Sequence, residues 1–127
     1  MLKSYCSALL VSVVALIYGG SLFAGALDDA VRRGVLKVGT TPTYVPFEMT
    51  DRQGRIVGFE IDLLHAMSRA LDVELELVAV PYTELLPGLM AKQFDLIGSG
   101  MTVTQQRNLK LNFSDSFMVV GQTVLLH

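Results

Sequence analysis

The sequence predicts an α/β fold, a mostly parallel sheet flanked by helices, and three observations lead there. Strand-like and helix-like segments alternate along most of the chain. Two loops carrying ligand-type chemistry follow strands. An apolar leader stands apart from the rest.

The leader comes first. Lys3 gives a short charged start, an apolar stretch runs from Ala8 to Tyr18, and small residues end in Ala24-Gly25-Ala26. That order describes a secretory signal peptide over residues 1–26, cut between Ala26 and Leu27. The stretch is short for a membrane-spanning helix, which leaves an uncleaved anchor as the alternative. Export to the periplasm is the expectation. Cleavage leaves 101 residues, 27–127, enough for one small domain.

Composition narrows the classes. The lone cysteine, Cys6, lies in the leader upstream of its apolar stretch, so the exported chain is expected to hold no disulfide and no lipid-modified first residue. His65 and His127 are far apart, and no metal or cofactor is expected. The formal net charge is −2, with no basic cluster, which argues against nucleic acid and against an anionic membrane surface.

Elements follow in order. Leu27 to Arg33 reads as a short helix stopped by Gly34, and Val35 to Gly39 as a β-branched strand. Prolines 42 and 46 make Thr40 to Phe47 irregular, and Asp51-Arg52-Gln53-Gly54 marks a hairpin turn with Arg55 to Val57 returning. Glu60 to Leu71 places Ile61, Leu64, Met67, Ala70 and Leu71 on one helical face, with Asp62, His65 and Arg69 on the other. Val73 to Val80 reads as a strand. Tyr82 to Ala91 reads as a helix whose start Pro87 delays or whose axis it kinks. Phe94 to Gly98 reads as a buried strand, and Phe117 to Leu126 as a final extended segment. Phe47, Phe59 and Phe113 read as core, Met67, Met90 and Met101 as packing, and Glu60 and Asp62 as helix-start residues.

The run Gly98-Ser99-Gly100-Met101-Thr102-Val103-Thr104-Gln105-Gln106-Arg107 carries the chemistry. Small residues let a ligand approach the backbone, hydroxyls donate to anionic oxygens, and a guanidinium grips a carboxylate through two parallel hydrogen bonds. Thr104 fits a helix N-cap, which puts Arg107 in a first helical turn, where an anion would relieve the conflict between cation and helix dipole. The alternative is a solvated arginine beside a glycine turn. Ligands of parallel sheets collect at the carboxyl ends of strands, where both the 40–47 loop and the 98–107 loop should lie.

Four motifs in one order now matter: Val38-Gly39-Thr40 through Tyr44-Val45-Pro46-Phe47-Glu48, Gly58-Phe59-Glu60-Ile61-Asp62-Leu63, Phe94-Asp95 through Arg107, and Phe113-Ser114-Asp115. Together they resemble the first lobe of the bacterial extracellular solute-binding proteins, family 3, periplasmic receptors of amino acid ABC transporters, over about residues 30–126. The resemblance implies a periplasmic-binding-protein-like type II lobe, of the kind that closes with a second lobe on an amino acid. It implies that Arg107 holds the ligand α-carboxylate and that Thr102 takes its second oxygen through hydroxyl and N–H. Ser99 and Gly100 match positions near the α-amino group and carboxylate, and Tyr44 and Tyr82 match rings flanking the ligand. Thr41 stands where several members carry an aspartate that reads a cationic side chain, which favours a neutral or polar ligand.

The partners implied are a polar amino acid and an inner-membrane ABC permease, with a monomeric full-length receptor. Family members are about twice this length, so the chain reads as a fragment or truncated form without its second lobe, ending near the crossover strand. Not an enzyme is the expectation. The alternatives are a periplasmic cyclohexadienyl dehydratase-like enzyme, which would need a catalytic acid in the cleft, and a sensor or fusion module on the same fold.

Overall fold

The computed structural model describes residues 25–121; the leader's apolar stretch and residues 122–127 lie outside the described residues. Helix α1, Ala26–Arg33, opens at the expected cleavage point and carries Asp28 and Asp29 in its first turn and Arg32 and Arg33 in its last. Those charges suit the helix dipole at both ends. Strand β1, Val35–Thr40, follows directly. Two-residue strand β2, Thr43–Tyr44, then β3, Glu48–Thr50, and β4, Ile56–Val57, make an antiparallel sheet in the order β2-β3-β4. The Asp51 carboxylate closes its hairpin by accepting from the Gln53 and Arg55 N–H groups at 2.9 and 2.8 Å.

Helix α2, Phe59–Ala70, leads into β5, Glu74–Ala79; helix α3, Tyr82–Met90, leads into β6, Leu96–Ile97; and α4, Gln105–Asn108, ends the list of elements. The main sheet is parallel, in the order β5-β1-β6, with Val38 opposite both Leu77 and Leu96. This is the α/β arrangement expected, with β1 central and β5 and β6 on its two edges.

Side-chain alternation along β1 explains the layers. Leu36 and Val38 point to one face and pack with Ala30 of α1 and Ile61 and Leu64 of α2. Gly39 points to the other, where the Phe94 ring fills the space between β1 and Gly88 of α3. A Cβ at Gly39 would lie 2.5 Å from that ring, so the missing side chain is what lets the layers close. Helices thus cover both faces of the central strand.

Several expectations change. Within the expected Phe94–Gly98 strand the regular part is Leu96–Ile97, and the Asp95 and Gly98 N–H groups extend the link to β1 by donating to the Lys37 and Gly39 carbonyls at 2.8 and 3.0 Å. Pro87 does not delay the start of α3, which runs from Tyr82 with the proline inside it; its nitrogen cannot donate to the Thr83 carbonyl, but both residues are exposed, so that oxygen is open to solvent. Phe59 and Met90 are exposed rather than packed inside, and Ala70 faces solvent. Phe59 instead sits in an aromatic row, Tyr44–Phe47–Phe59–Phe117, with centroid spacings of 5.1, 6.5 and 6.2 Å. In the described part of the final segment no strand forms, and Val119 and Val120 are exposed.

Candidate functional site

The carboxyl ends of β1 and β6 lie side by side, and the loops leaving them meet. Thr41, one residue past β1, donates its N–H to Ser99 Oγ at 3.1 Å and its hydroxyl to the Val80 carbonyl at 2.7 Å. One residue therefore ties together the ends of β1, β5 and β6. The Thr41 hydroxyl proton is spent on the backbone in this arrangement.

Gly100 adopts φ = 53°, a left-handed turn that few side chains accept, and a Cβ there would press on the Tyr44 ring at 3.2 Å. The loop from β6 and the loop from β1 are in van der Waals contact as a result. Tyr44 and Tyr82 are half exposed, at 50% and 47%, and present flat apolar surface beside the loops.

Arg107 is the fixed cation. Thr104 caps α4, its hydroxyl accepting from the Arg107 N–H at 3.3 Å, as its sequence position leads one to expect. The guanidinium folds back, donating from Nη1 to the Thr102 carbonyl at 2.8 Å and from Nη2 to the Tyr82 hydroxyl at 3.4 Å. Among the described residues Arg107 makes no ion pair. Three of its five N–H donors remain, beside a Thr102 N–H that has no partner among the described residues. Such a cluster of donors with one positive charge suits a carboxylate.

Two acidic residues that the sequence reading left out of the site prove to underpin it. Glu48, on β3, is 2% exposed and accepts from the Thr40 and Ser99 hydroxyls, both at 2.6 Å. Glu60, in the first turn of α2, is 5% exposed and accepts from the Gly100 N–H at 2.8 Å. Burial pushes both carboxyls above the ordinary range, opposed by these hydrogen bonds, and the Glu48 charge pushes Glu60 up further. The one sequence signal for Glu48 was an acid within the apolar run Tyr44 to Met49; nothing local named its partners.

All seven candidate residues, Thr41, Tyr44, Tyr82, Ser99, Gly100, Thr102 and Arg107, therefore fall in one connected patch at the strand ends. An open cavity of about 340 Å³ borders that patch, sharing Tyr44, Gly100 and Thr102 but reaching away from Arg107 to Phe47, Glu60 and the 113–120 segment. Among the described residues no group of three His, Cys, Asp or Glu side chains is placed to hold a metal ion.

Residues 36–127 match the model of the bacterial extracellular solute-binding proteins, family 3. The chain belongs to that family. A probable histidine-binding protein of Neisseria gonorrhoeae is 33% identical over 127 residues, which is 99% of this chain and 47% of that protein. The lysine/arginine/ornithine-binding periplasmic protein of Escherichia coli (strain K12) is 36% identical, over 90% of this chain and 44% of its own length. The chain thus spans less than half the length of these relatives. Among solved structures, an ancestral cationic amino acid solute-binding protein superposes with a TM-score of 0.71 at 40% identity, covering 74% of this chain and 41% of that one. The arginine-bound form of domain 1 from TmArgBP, as its Phe57Trp mutant, gives 0.70 at 41% identity, covering 72% and 71%. An ancestral cyclohexadienyl dehydratase gives 0.72 at 39% identity, covering 76% and 40%. The fold is that of amino acid-binding type II periplasmic proteins, of which this chain makes up a part.

Proposed function

We propose that this chain is the first lobe of the substrate-binding component of an amino acid ABC transporter, residues 27–127, exported by a signal peptide over residues 1–26. The observation that carries the reading is the state of Arg107. A guanidinium oriented by Thr102 and Tyr82, without an ion pair among the described residues, stands beside a Thr102 N–H that has no partner among them and two half-exposed tyrosine rings. Arg107 and Thr102 bind the ligand α-carboxylate, Ser99 and Gly100 border the α-amino group, and Tyr44 and Tyr82 flank the side chain. A polar amino acid is the ligand, delivered in the periplasm to an inner-membrane permease by a receptor that is monomeric when full length.

Family membership and the names of the relatives, which bind histidine or lysine, arginine and ornithine, support the amino acid part of this reading. Thr41 favours a neutral or polar ligand over those cationic ones, since it offers no negative charge and its hydroxyl is engaged with Val80. The likeness to an ancestral dehydratase keeps an enzyme in view. Against it, both oxygens of Glu48 are engaged by hydroxyl donors, and Glu60 holds a backbone N–H. Titration of the chain with a panel of basic, neutral and acidic amino acids, repeated on Arg107→Ala, tests the reading. Binding that survives the substitution unchanged would remove its basis.

A further inference from the structure

The hydrogen bonds beneath the loop decide what the loop can offer above it. Ser99 is 4% exposed and its hydroxyl has one proton to give, which goes to Glu48 Oε1 at 2.6 Å, while the hydroxyl oxygen receives the Thr41 N–H at 3.1 Å. Glu48 cannot return a proton, because its other oxygen accepts from Thr40 and a carboxylate only accepts. Gly100 has one N–H, and Glu60 Oε2 takes it at 2.8 Å. The Ser99 hydroxyl and the Gly100 N–H, on consecutive residues, are therefore engaged from below by two acids on different elements, β3 and α2. Gly100 keeps its carbonyl oxygen alone for a ligand, and Ser99 keeps its carbonyl and its backbone N–H.

Two residues further on, the balance reverses. Among the described residues Thr102 keeps its N–H and hydroxyl, and Arg107 keeps three N–H groups. The loop has an accepting end and a donating end separated by Met101. An α-amino acid is itself polarised in that way, with an ammonium that only donates and a carboxylate that only accepts. Two buried carboxylates also place negative charge beneath the accepting end, close enough to each other that Glu48 disfavours ionisation of Glu60.

We propose that Glu48 and Glu60 are positioning residues that set the hydrogen-bond polarity of the ligand loop, making its Ser99–Gly100 end a site for a cationic amine. This rests on the amino acid-binding reading above. Neither acid needs to touch the ligand. Their work is to remove the competing donors and to hold the carbonyl groups in place.

The isosteric variants Glu48→Gln and Glu60→Gln separate this role from a purely structural one. A glutamine at 48 offers one accepting oxygen instead of two and no charge, so one of the two hydroxyls, Ser99 or Thr40, loses its acceptor. At 60 the amide oxygen still accepts from Gly100, but the charge is gone. Binding is measured on the full chain with two pairs, L-glutamine against glutaramic acid and L-histidine against imidazolepropionic acid, each second member lacking the α-amine. In each variant the preference for the amino acid over its deaminated partner should fall about tenfold or more, while the affinity for the deaminated acid is kept and the melting temperature does not drop. Equal loss for both members, loss that follows the ligand side chain rather than the amine, or loss accompanied by a lower melting temperature would overturn the proposal.

An amide spectrum of the unliganded chain supplies a readout independent of the ligand. The Gly100 amide proton, donating to a charged group, should shift upfield in Glu60→Gln, and the Ser99 and Thr41 amides should move in Glu48→Gln. Unmoved resonances overturn the proposal even where ligand binds. Moved resonances with no binding by the wild-type chain uphold the polarity and refute the amino acid reading instead.

Discussion

The Ser99 hydroxyl donates to the Glu48 carboxylate at 2.6 Å, joining residues 51 positions apart in sequence and the two sheets of the lobe. Ser99 lies two residues beyond β6 of the parallel sheet, and the antiparallel sheet supplies Glu48. Through this bond the small sheet supports the loop that follows β6. The same carboxylate takes the Thr40 hydroxyl at the end of β1, so a single side chain holds both strand ends.

Keeping such acids ionised in the interior works against the stability of the fold. For Glu48 and Glu60 the folded-state pKa lies above the ordinary value of 4.5, so between that value and the raised one the folded chain holds more protons than the unfolded chain. Their contribution to stability is therefore lost as pH rises through that window and recovered as it falls. Asp51 has the opposite sign: its pKa is lowered, chiefly by the Arg55 backbone N–H, and its contribution disappears on further acidification below 3.8. Melting temperatures from neutral pH down to about 5 should rise more in wild type than in Glu48→Gln. A wild-type curve that falls faster than the variant over that range would contradict the burial argument.

Phe94 decides the packing of the α3 face. The ring is 2% exposed and faces Gly39 and Gly88. Phe94→Ala should cost about 3–5 kcal/mol, the usual range for a buried aromatic. Gly39→Ala should cost about 1–3 kcal/mol by overpacking, since its Cβ would meet the ring at 2.5 Å. Urea denaturation measures both. Near-neutral values at both sites would mean that the layers pack otherwise.

The cap on α4 bears on Arg107 alone. This four-residue helix buries no side chain, so Thr104→Ala should leave the global melting temperature almost unchanged. Loss of a cap costs about 0.5–2 kcal/mol locally. Hydrogen exchange at the Arg107 amide should accelerate accordingly, by roughly 2- to 30-fold. An unaltered exchange rate would remove Thr104 from the account of how Arg107 is placed.

How far the sequence reveals this lobe depends on how local each signal is. Strand β1, helix α2 and strand β5 announce themselves through β-branching and periodicity over six or more residues, and the Thr104 cap needs only three residues of context. The β2-β3-β4 sheet does not, because strands of two or three residues carry no period, and the turn at Asp51 suggested only a hairpin. The regular strand is shorter than the apolar run, because Phe94 is buried by packing against Gly39 and Gly88 while Gly98 keeps a hydrogen bond to Gly39. Arg107, Thr102 and the tyrosines were visible as a cluster of suitable chemistry. Glu48 and Glu60 were not, since an acid's burial is fixed by partners 51 and 40 residues away.

The most direct test of the central claim is an NMR-detected titration of the chain with single amino acids, run beside Arg107→Ala. One charge-assisted contact contributes roughly 1.5–3 kcal/mol, whereas micromolar affinity requires about 8. The lobe alone should therefore bind a polar amino acid more weakly than micromolar, with the Thr102 and Arg107 amides shifting. That a lone domain 1 of TmArgBP is known in an arginine-bound form makes the measurement practicable. Arg107→Ala should weaken binding by roughly 10- to 150-fold with the fold intact. Equal affinity in both chains, or no amino acid bound by either, would contradict a carboxylate site at Arg107; micromolar binding by the lobe would contradict the need for a second one.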